Sequence, residues 1–216
     1  MKFKAAIFDL DGTLLNTIDD LADSTNNVLS RHGYPTHDMN AYKYFVGSGI
    51  RNLVIKALPE DKRDNETVDV IYKEMLDEYS VCWNKKTKPY SGIPELLEHL
   101  TKRGIKLSVL SNKADAFTKQ MVKSFLPDLL FDAVFGERSG IPRKPDPHGV
   151  YEIAEILGVS PNECLYLGDS GIDMKTAAAA GAYPIGVLWG FRQADELMSN
   201  GAKLLISKPT ELLGLL

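Results

Sequence analysis

The sequence predicts an α/β fold: a Rossmann-like, mostly parallel sheet covered by helices on both faces, with a small helical bundle inserted near the amino terminus. From residue 92 onward, short apolar runs alternate with segments of helical periodicity, as in βαβ units. Residues 17–87 contain only helical patterns, which is typical of an inserted bundle rather than of a continuing α/β sheet. We therefore expect a three-layer α/β/α core of residues 1–16 and 88–216.

The predicted strands are short apolar runs bounded by glycine or polar residues. They cover residues 5–8, 105–110, 133–135, 164–167, 183–188 and 203–206. The predicted helices carry apolar residues three or four positions apart. In the core they cover 94–103, 114–125, 147–157 and 172–180, and in the inserted segment 18–29, 41–45, 50–58 and 68–82.

Composition excludes several classes of protein. The chain has 216 residues, of which 44% are hydrophobic, and a net charge of −4, so no basic field favours nucleic acid. No apolar run is long enough to span a membrane, and Asp9 interrupts the first one too early for a signal peptide. Cys82 and Cys164 lie far apart and lack the spacing of a metal site. Cys164 opens an apolar run, and we expect it to be a buried free thiol rather than a disulfide or metal ligand. A cytoplasmic protein is the expectation.

The first predicted strand ends in the motif Asp9-Leu10-Asp11-Gly12-Thr13-Leu14. Strand ends of open α/β sheets are where ligand sites form. Two carboxylates beside a glycine turn suit a cation together with an anion. A lone Asp-x-Asp is more often an acidic turn, but the whole motif arises by chance in a chain of this length on the order of 10⁻⁴ of the time.

Polar residues follow other predicted strands as well. They are Ser111-Asn112, Lys144, and the run from Gly168 through Asp169 to Asp173. Each has an ordinary structural explanation, namely a helix cap, a solvated loop lysine and a plain turn. All of them, however, would converge on the carboxyl edge of one parallel sheet, which favours a shared site.

These motifs, in this order, resemble those of the haloacid-dehalogenase-like phosphatases: Asp-x-Asp-Gly-Thr, then Ser or Thr, then Lys, then Gly-Asp-Ser-x-x-Asp. The resemblance covers nearly the whole chain, because residues 17–87 stand where that family inserts a helical cap. It implies phosphoryl transfer through an aspartyl-phosphate. Relatives often have Asp where this chain has Asn16, at a hinge position. Dehalogenases of the superfamily lack the acid corresponding to Asp11, which argues against dehalogenation.

The resemblance also implies a role for each motif residue. Asp9 would be the nucleophile and Asp11 the general acid and base. The phosphate would be bound by Gly12, Thr13, Ser111, Asn112 and Lys144. Mg²⁺ would be held by Asp9, Asp169 and the backbone carbonyl of Asp11, with Asp173 supporting the metal site. Oxygen ligands suit Mg²⁺, and a carboxylate is a competent nucleophile toward phosphorus.

Two weaker signals concern the substrate. Val46-Gly47-Ser48-Gly49 and the segment 189–192 (Trp-Gly-Phe-Arg) look most like those of phosphoglycolate phosphatases. The substrate readers would be Gly47, Ser48, Gly49 and Arg51, although Arg51 is equally well explained as a solvated helix residue. We expect a small phosphorylated metabolite as substrate and a monomer or homodimer. A β-phosphoglucomutase-like transfer, an inorganic pyrophosphatase and a non-enzymatic binding module remain open alternatives.

Overall fold

The computed structural model describes residues 3–215. Its strands are β1 (Ala5–Phe8), β2 (Leu15–Asn16), β3 (Lys88–Pro89), β4 (Lys106–Ala114), β5 (Ala133–Glu137), β6 (Cys164–Gly168), β7 (Tyr183–Val187) and β8 (Leu204–Ile206). Its α-helices are α1 (Ile18–Arg31), α2 (Met39–Phe45), α3 (Ile50–Ala57), α4 (Asn65–Cys82), α5 (Ile93–Lys102), α6 (Asp115–Phe125), α7 (His148–Leu157), α8 (Gly171–Ala180) and α9 (Ala194–Ser199).

The chain divides into two compact units. The first combines the residues up to Leu15 with those from Pro89 onward and contains the large sheet. The second runs from Asn16 to Lys88 and contains α1 to α4. Strands β2 and β3 pair as a short two-stranded sheet.

In the first unit, β1 lies in the middle of a parallel sheet with the strand order β5-β4-β1-β6-β7-β8. Ile7 of β1 is level with Ser108 of β4 on one side and with Tyr166 of β6 on the other. After β1 the chain builds outward through β4 and β5, then crosses back to β6 and builds in the other direction. This reversal leaves a crevice at the carboxyl ends of β4, β1 and β6, where α/β proteins bind ligands.

Both faces of this sheet are covered. Ile7 and Phe8 are neighbours in β1 and point to opposite faces, yet both are fully buried. Ile7 belongs to one apolar cluster with Val150 of α7 and Ala177 of α8. Helices α5 and α6 also contact β4. The expected α/β fold with a mostly parallel sheet is confirmed.

Strand β4 is longer than the sequence predicted. The polar residues after Leu110 placed its end there, but the strand continues to Ala114, and α6 begins at Asp115. Its pairing with β5 shifts register between Leu110 and Ala114. Ser111 and Asn112 are therefore buried parts of the strand, because the irregularity interrupts the ladder without ending the extended backbone.

The second unit is a helical bundle in which α1 packs against α2 and α4, and α3 packs against α4. Tyr42 and Tyr79 are fully buried in it. Asp20 of α1 is also buried and accepts hydrogen bonds from the backbone N–H groups of Lys86 and Thr87. This carboxylate ties the first helix of the bundle to the segment that ends it.

Both cysteines of the chain, Cys82 and Cys164, are buried free thiols, which confirms the expectation for Cys164. Burial, aided by the charge of Glu163, raises the pKa of Cys164 to about 11. The protonated and unreactive thiol therefore prevails at neutral pH. No α-helix within residues 3–215 is long and apolar enough to cross a membrane.

Candidate active site

The centre of the candidate site is the buried ammonium group of Lys144. Its Nζ lies 2.9 Å from Oδ1 of Asp9, at the end of β1, and 2.7 Å from Oδ1 of Asp173, on α8. It also donates a hydrogen bond to the carbonyl oxygen of Leu110 in β4, at 3.0 Å. Three hydrogen-bonding partners match the three N–H donors of an ammonium group. Lys144 thus joins β1, β4 and α8 at the carboxyl edge of the sheet.

Asp173 has a second, structural role at the start of α8. Its Oδ2 accepts hydrogen bonds from the hydroxyl of Ser170, at 2.6 Å, and from the backbone N–H of Ser170, at 3.1 Å. The hydroxyl in turn accepts from the backbone N–H of Asp173, which completes a capping box. Since Ser170 engages one carboxylate oxygen and Lys144 the other, Asp173 is held rigidly by its surroundings.

Asp169 follows β6 and faces the same cluster. Carboxylate oxygens of Asp9, Asp169 and Asp173 all lie within 4.8 Å of one another, and all three residues are buried. Oδ2 of Asp169 accepts a hydrogen bond from the backbone N–H of Phe191, at 2.7 Å. The loop after β7 therefore fixes the orientation of this carboxylate.

The cluster has more negative charge than its surroundings neutralise. Burial raises the pKa of Asp169 well above its ordinary value, and Asp173 and Asp9 raise it further. Burial and Asp173 also raise the pKa of Asp9 to about 7, although Lys144 opposes the shift. Burial alone lowers the pKa of Lys144, but Asp173 and Asp9 outweigh burial and hold that pKa well above its ordinary value.

These observations fit a bound Mg²⁺. The donors are oxygen atoms, which Mg²⁺ prefers, and a separation within 4.8 Å is close to the span of about 4 Å across an octahedral Mg²⁺ site. Three buried carboxylates lie around one ammonium group, and a divalent cation would offset the mutual repulsion that, after burial, raises the pKa values of Asp9 and Asp169. Asp9 and Asp169 are the residues available to hold it, since both oxygens of Asp173 already have partners.

The turn after β1 brings Gly12 and Thr13 beside this cluster. Gly12 has φ +88°, and a Cβ there would lie 2.2 Å from Oδ2 of Asp169, so the position requires glycine. The carbonyl of Thr13 accepts a hydrogen bond from Nε1 of Trp189, at 3.0 Å. Its hydroxyl is buried without a partner among the described residues. A ligand oxygen would satisfy this hydroxyl.

Ser111 and Asn112 lie in the last part of β4. The hydroxyl of Ser111 accepts a hydrogen bond from the backbone N–H of Lys113, at 3.2 Å. The side chain of Asn112 donates to the carbonyl of Lys144, at 3.1 Å, and accepts from its N–H, at 3.0 Å. Asn112 therefore holds the backbone of Lys144 in place, and its contact with phosphate stays a prediction.

Lys113 is a site residue that the sequence analysis missed. Its side chain is buried, and its Nζ lies 3.1 and 3.2 Å from the two carboxylate oxygens of Asp11. A signal for it exists in the sequence: a lysine directly after the polar pair at the end of an apolar strand. Its meaning is hidden there, because its partner lies about a hundred positions earlier in the chain.

The remaining predicted site residues belong to the second unit. Gly49, with φ +86°, is the N-cap of α3. The side chain of Asn52 donates a hydrogen bond to the carbonyl of Ser48, at 2.8 Å. Arg51 is partly exposed, forms an ion pair with Asp69 of α4 and lies over the ring of Tyr72. Gly47, in the turn before α3, has φ +118°. Arg51 would have to leave Asp69 in order to bind a substrate carboxylate.

A family model for haloacid dehalogenase-like hydrolases matches residues 6–187. The chain belongs to this family. The matched region of this haloacid dehalogenase-like hydrolase extends from the strand that carries Asp9 beyond the helix that carries Asp173. It ends just before the loop that contains Trp189 and Phe191.

Relatives of this haloacid dehalogenase-like hydrolase cover nearly its whole length. A phosphoglycolate phosphatase of Aquifex aeolicus is 32% identical over 213 residues, which span 99% of this chain and 96% of the relative. An N-acetylmuramic acid 6-phosphate phosphatase of Pseudomonas aeruginosa is 29% identical and aligns over 100% of this chain and 96% of its own. The crystal structure of a proposed phosphoglycolate phosphatase from Lactobacillus delbrueckii subsp. bulgaricus has a TM-score of 0.92 at 33% identity, covering 98% of this chain and 97% of the other.

Proposed function

We propose that the protein is a Mg²⁺-dependent phosphatase that hydrolyses a small phosphorylated metabolite through a phosphoaspartate on Asp9. The observation that carries this proposal is the ion pair between Lys144 and Asp9, set within a cluster of buried carboxylates. A carboxylate cannot approach an anionic phosphate unless cations lie beside both. Lys144 provides one such cation, and the carboxylates of Asp9 and Asp169 provide a place for another.

In the first step, a carboxylate oxygen of Asp9 forms a bond to phosphorus while the ester P–O bond breaks. The leaving oxygen takes a proton from Asp11, so that it departs as an alcohol. In the second step, water attacks the phosphorus of the phosphoaspartate, the bond between phosphorus and Asp9 breaks, and Asp11 accepts the proton of the water. The products are the alcohol and orthophosphate, and both carboxyl groups return to their starting states.

Residues around Asp9 prepare this reaction. Mg²⁺ held by Asp9, Asp169 and the backbone carbonyl of Asp11 would screen the charge of the phosphate and fix its geometry. Lys144 would contribute a point charge toward the phosphate. The Thr13 hydroxyl, buried without a partner within residues 3–215, would donate to a phosphate oxygen. Asn112 would hold the backbone of Lys144 in place.

We further propose that the substrate is a phosphorylated carboxylic acid of the phosphoglycolate type. The name of the Aquifex aeolicus relative supports this choice. Arg51 is the residue of the second unit that would bind the substrate carboxylate, in exchange for its present partner Asp69. The turn of Gly47, Ser48 and Gly49, at the amino end of α3, would lie near the same anion. A phosphorylated amino sugar is the second candidate, supported by the Pseudomonas aeruginosa relative.

A panel of phosphate esters tests these proposals. Orthophosphate release is measured from 2-phosphoglycolate, N-acetylmuramic acid 6-phosphate, β-glucose 1-phosphate and pyrophosphate, each with Mg²⁺ and with EDTA. We expect release only with Mg²⁺, the highest kcat/KM with phosphoglycolate, and no release from the Asp9→Asn variant. Isomerisation of glucose 1-phosphate without orthophosphate would replace the phosphatase with a mutase. Absence of turnover on the whole panel would remove the proposed function.

A further inference from the structure

Lys144 and Lys113 of the candidate site form ion pairs with different aspartates. Lys144 pairs with Asp9, the proposed nucleophile, whereas Lys113 pairs with Asp11, the proposed acid and base. The side chain of Lys113 is 2% exposed and that of Asp11 is 12% exposed. A buried ammonium group is costly unless it is paired, and removing its partner leaves an uncompensated charge. The pair therefore constrains both side chains.

The geometry of the pair fixes the direction of the Asp11 carboxylate. Nζ of Lys113 is nearly equidistant from both of its oxygens, at 3.1 and 3.2 Å. Asp11 lies in the turn after β1, while Lys113 is anchored in β4, the direct neighbour of β1 in the sheet. The backbone of Lys113 is held as well, since its N–H donates to the hydroxyl of Ser111. A rigid strand thus presents the cation that orients a side chain on a turn.

We propose that Lys113 is a positioning residue that holds Asp11 where it exchanges protons with the leaving oxygen and with the attacking water. The inference rests on the proposed phosphatase function and deepens it. Lys113 acts through Asp11 and has no contact with phosphate in this role. Because a misplacement of about 1 Å can cost a factor of about 10² in rate, loss of the lysine should slow the steps that need Asp11 and spare the attack by Asp9.

The test compares Lys113→Met with wild type on two substrates that differ in their need for an acid. The alcohol of an alkyl phosphate must be protonated as it leaves, whereas dinitrophenolate leaves readily without a proton. With 2,4-dinitrophenyl phosphate we expect Lys113→Met to release a burst of about one dinitrophenolate per active site. Slow turnover should follow, about 10-fold to 100-fold below wild type, because water then attacks without a well-placed base. With the alkyl phosphate we expect no burst of alcohol release, because the leaving alcohol then lacks a well-placed acid.

Controls separate positioning from general damage. Lys119→Met removes an exposed lysine that pairs with Asp115 on α6. It should leave the burst and the turnover of both substrates unchanged. Lys113→Arg retains a cation and should recover part of the rate. In a double-mutant cycle, Asp11→Asn combined with Lys113→Met should be no slower than Asp11→Asn alone, since Lys113 acts through Asp11. Melting curves identify a variant that fails to fold, in which case Lys113→Gln takes its place.

Clear outcomes contradict the proposal. A Lys113→Met enzyme that loses the dinitrophenolate burst together with turnover would show that the lysine supports attack by Asp9. Additive losses in the double-mutant cycle, or unchanged kcat on both substrates, would likewise overturn it. The proposed function fails differently: wild-type enzyme would then form no phosphoenzyme and release no orthophosphate.

Discussion

At the scale of single residues, the proposed catalytic chemistry of the candidate site comes with a cost in stability. Asp169 has a folded-state pKa far above its unfolded value of about 4, chiefly because it is buried and secondly because of Asp173 and Asp9. Such a shift removes stability as pH rises above the unfolded pKa, since the unfolded chain then ionises more readily than the folded one. Function and stability of the metal-free protein therefore oppose each other here.

Asp169→Asn should accordingly stabilise the metal-free protein while abolishing activity. In EDTA at pH 7.5 we expect the melting temperature to rise, by about 2–4 °C for each kcal/mol recovered, and the gain to disappear as pH falls toward about 4. Mg²⁺ should raise the melting temperature of wild type more than that of the variant. Asp128→Asn, at an exposed position, is the control. An equal Mg²⁺ response in both proteins would exclude Asp169 as a ligand.

Arg51 is the residue on which substrate choice depends in our proposal. Arg51→Ala should lower kcat/KM for phosphoglycolate by a factor that corresponds to roughly 2–3 kcal/mol of lost binding energy, the scale of a charge-assisted hydrogen bond. The kcat/KM for an uncharged aryl phosphate should not change. Steady-state kinetics on both substrates measure this, with Lys62→Ala, an exposed position of the same unit, as control. Equal effects of Arg51→Ala on both esters, or no effect on either, would remove Arg51 from the site.

At the scale of secondary-structure elements, Asp20 and Asp23 of α1 offer a matched comparison. Both contact Lys86, but Asp20 is buried and accepts from backbone N–H groups, whereas Asp23 is exposed and pairs with the ammonium group. Asp20 also accepts hydrogen bonds from the N–H and the hydroxyl of Thr87, each at 2.8 Å. Removing it leaves several buried donors without an acceptor.

Asp20→Ala should lower the free energy of unfolding by about 2–4 kcal/mol, the cost of leaving buried hydrogen-bonding groups unsatisfied. Asp23→Ala should cost at most about 1 kcal/mol, as expected for an exposed ion pair. Urea unfolding followed by circular dichroism provides both values. If the two variants lose similar stability, the attachment of α1 to the end of its unit does not depend on Asp20.

At the scale of the whole molecule, the two compact units divide the proposed tasks. The three clustered carboxylates, together with Lys144 and Lys113, belong to the first unit, whose apolar cluster around β1 draws its residues from that unit alone. Arg51 and the glycine turn before it belong to the second. In our proposal, chemistry and substrate choice therefore depend on different parts of the chain.

A variant in which a short Gly-Ser linker replaces residues 17–87 should separate these tasks. We expect it to fold, to be stabilised by Mg²⁺, and to hydrolyse an aryl phosphate slowly without preferring phosphoglycolate. Circular dichroism, melting with and without Mg²⁺, and kcat/KM ratios for the two esters measure this. A retained preference for phosphoglycolate would place substrate recognition in the first unit.

The sequence by itself determined the fold class and most of the polar residues at the sheet edge, although not Lys113. Apolar periodicity distinguishes strands from helices, and polar residues that follow buried strands predict a site, because parallel strands end at one edge. The motif beginning at Asp9 and the run from Gly168 to Asp173 were recognisable for this reason. Short or irregular elements were not predicted. Helix α9 buries only Leu197 and has too few turns to show periodicity, and the end of β4 carries polar residues.

Only the tertiary structure decided which partner each of these residues takes. Lys113 meets Asp11, Asn112 meets the backbone of Lys144, and Trp189 meets the carbonyl of Thr13 across long stretches of chain. Such contacts depend on strand order and register, which are set by packing of the whole sheet. A local sequence pattern cannot predict these contacts. The same residue types at a strand end can cap a helix, hold a neighbouring backbone or form an ion pair, depending on which strand lies beside them.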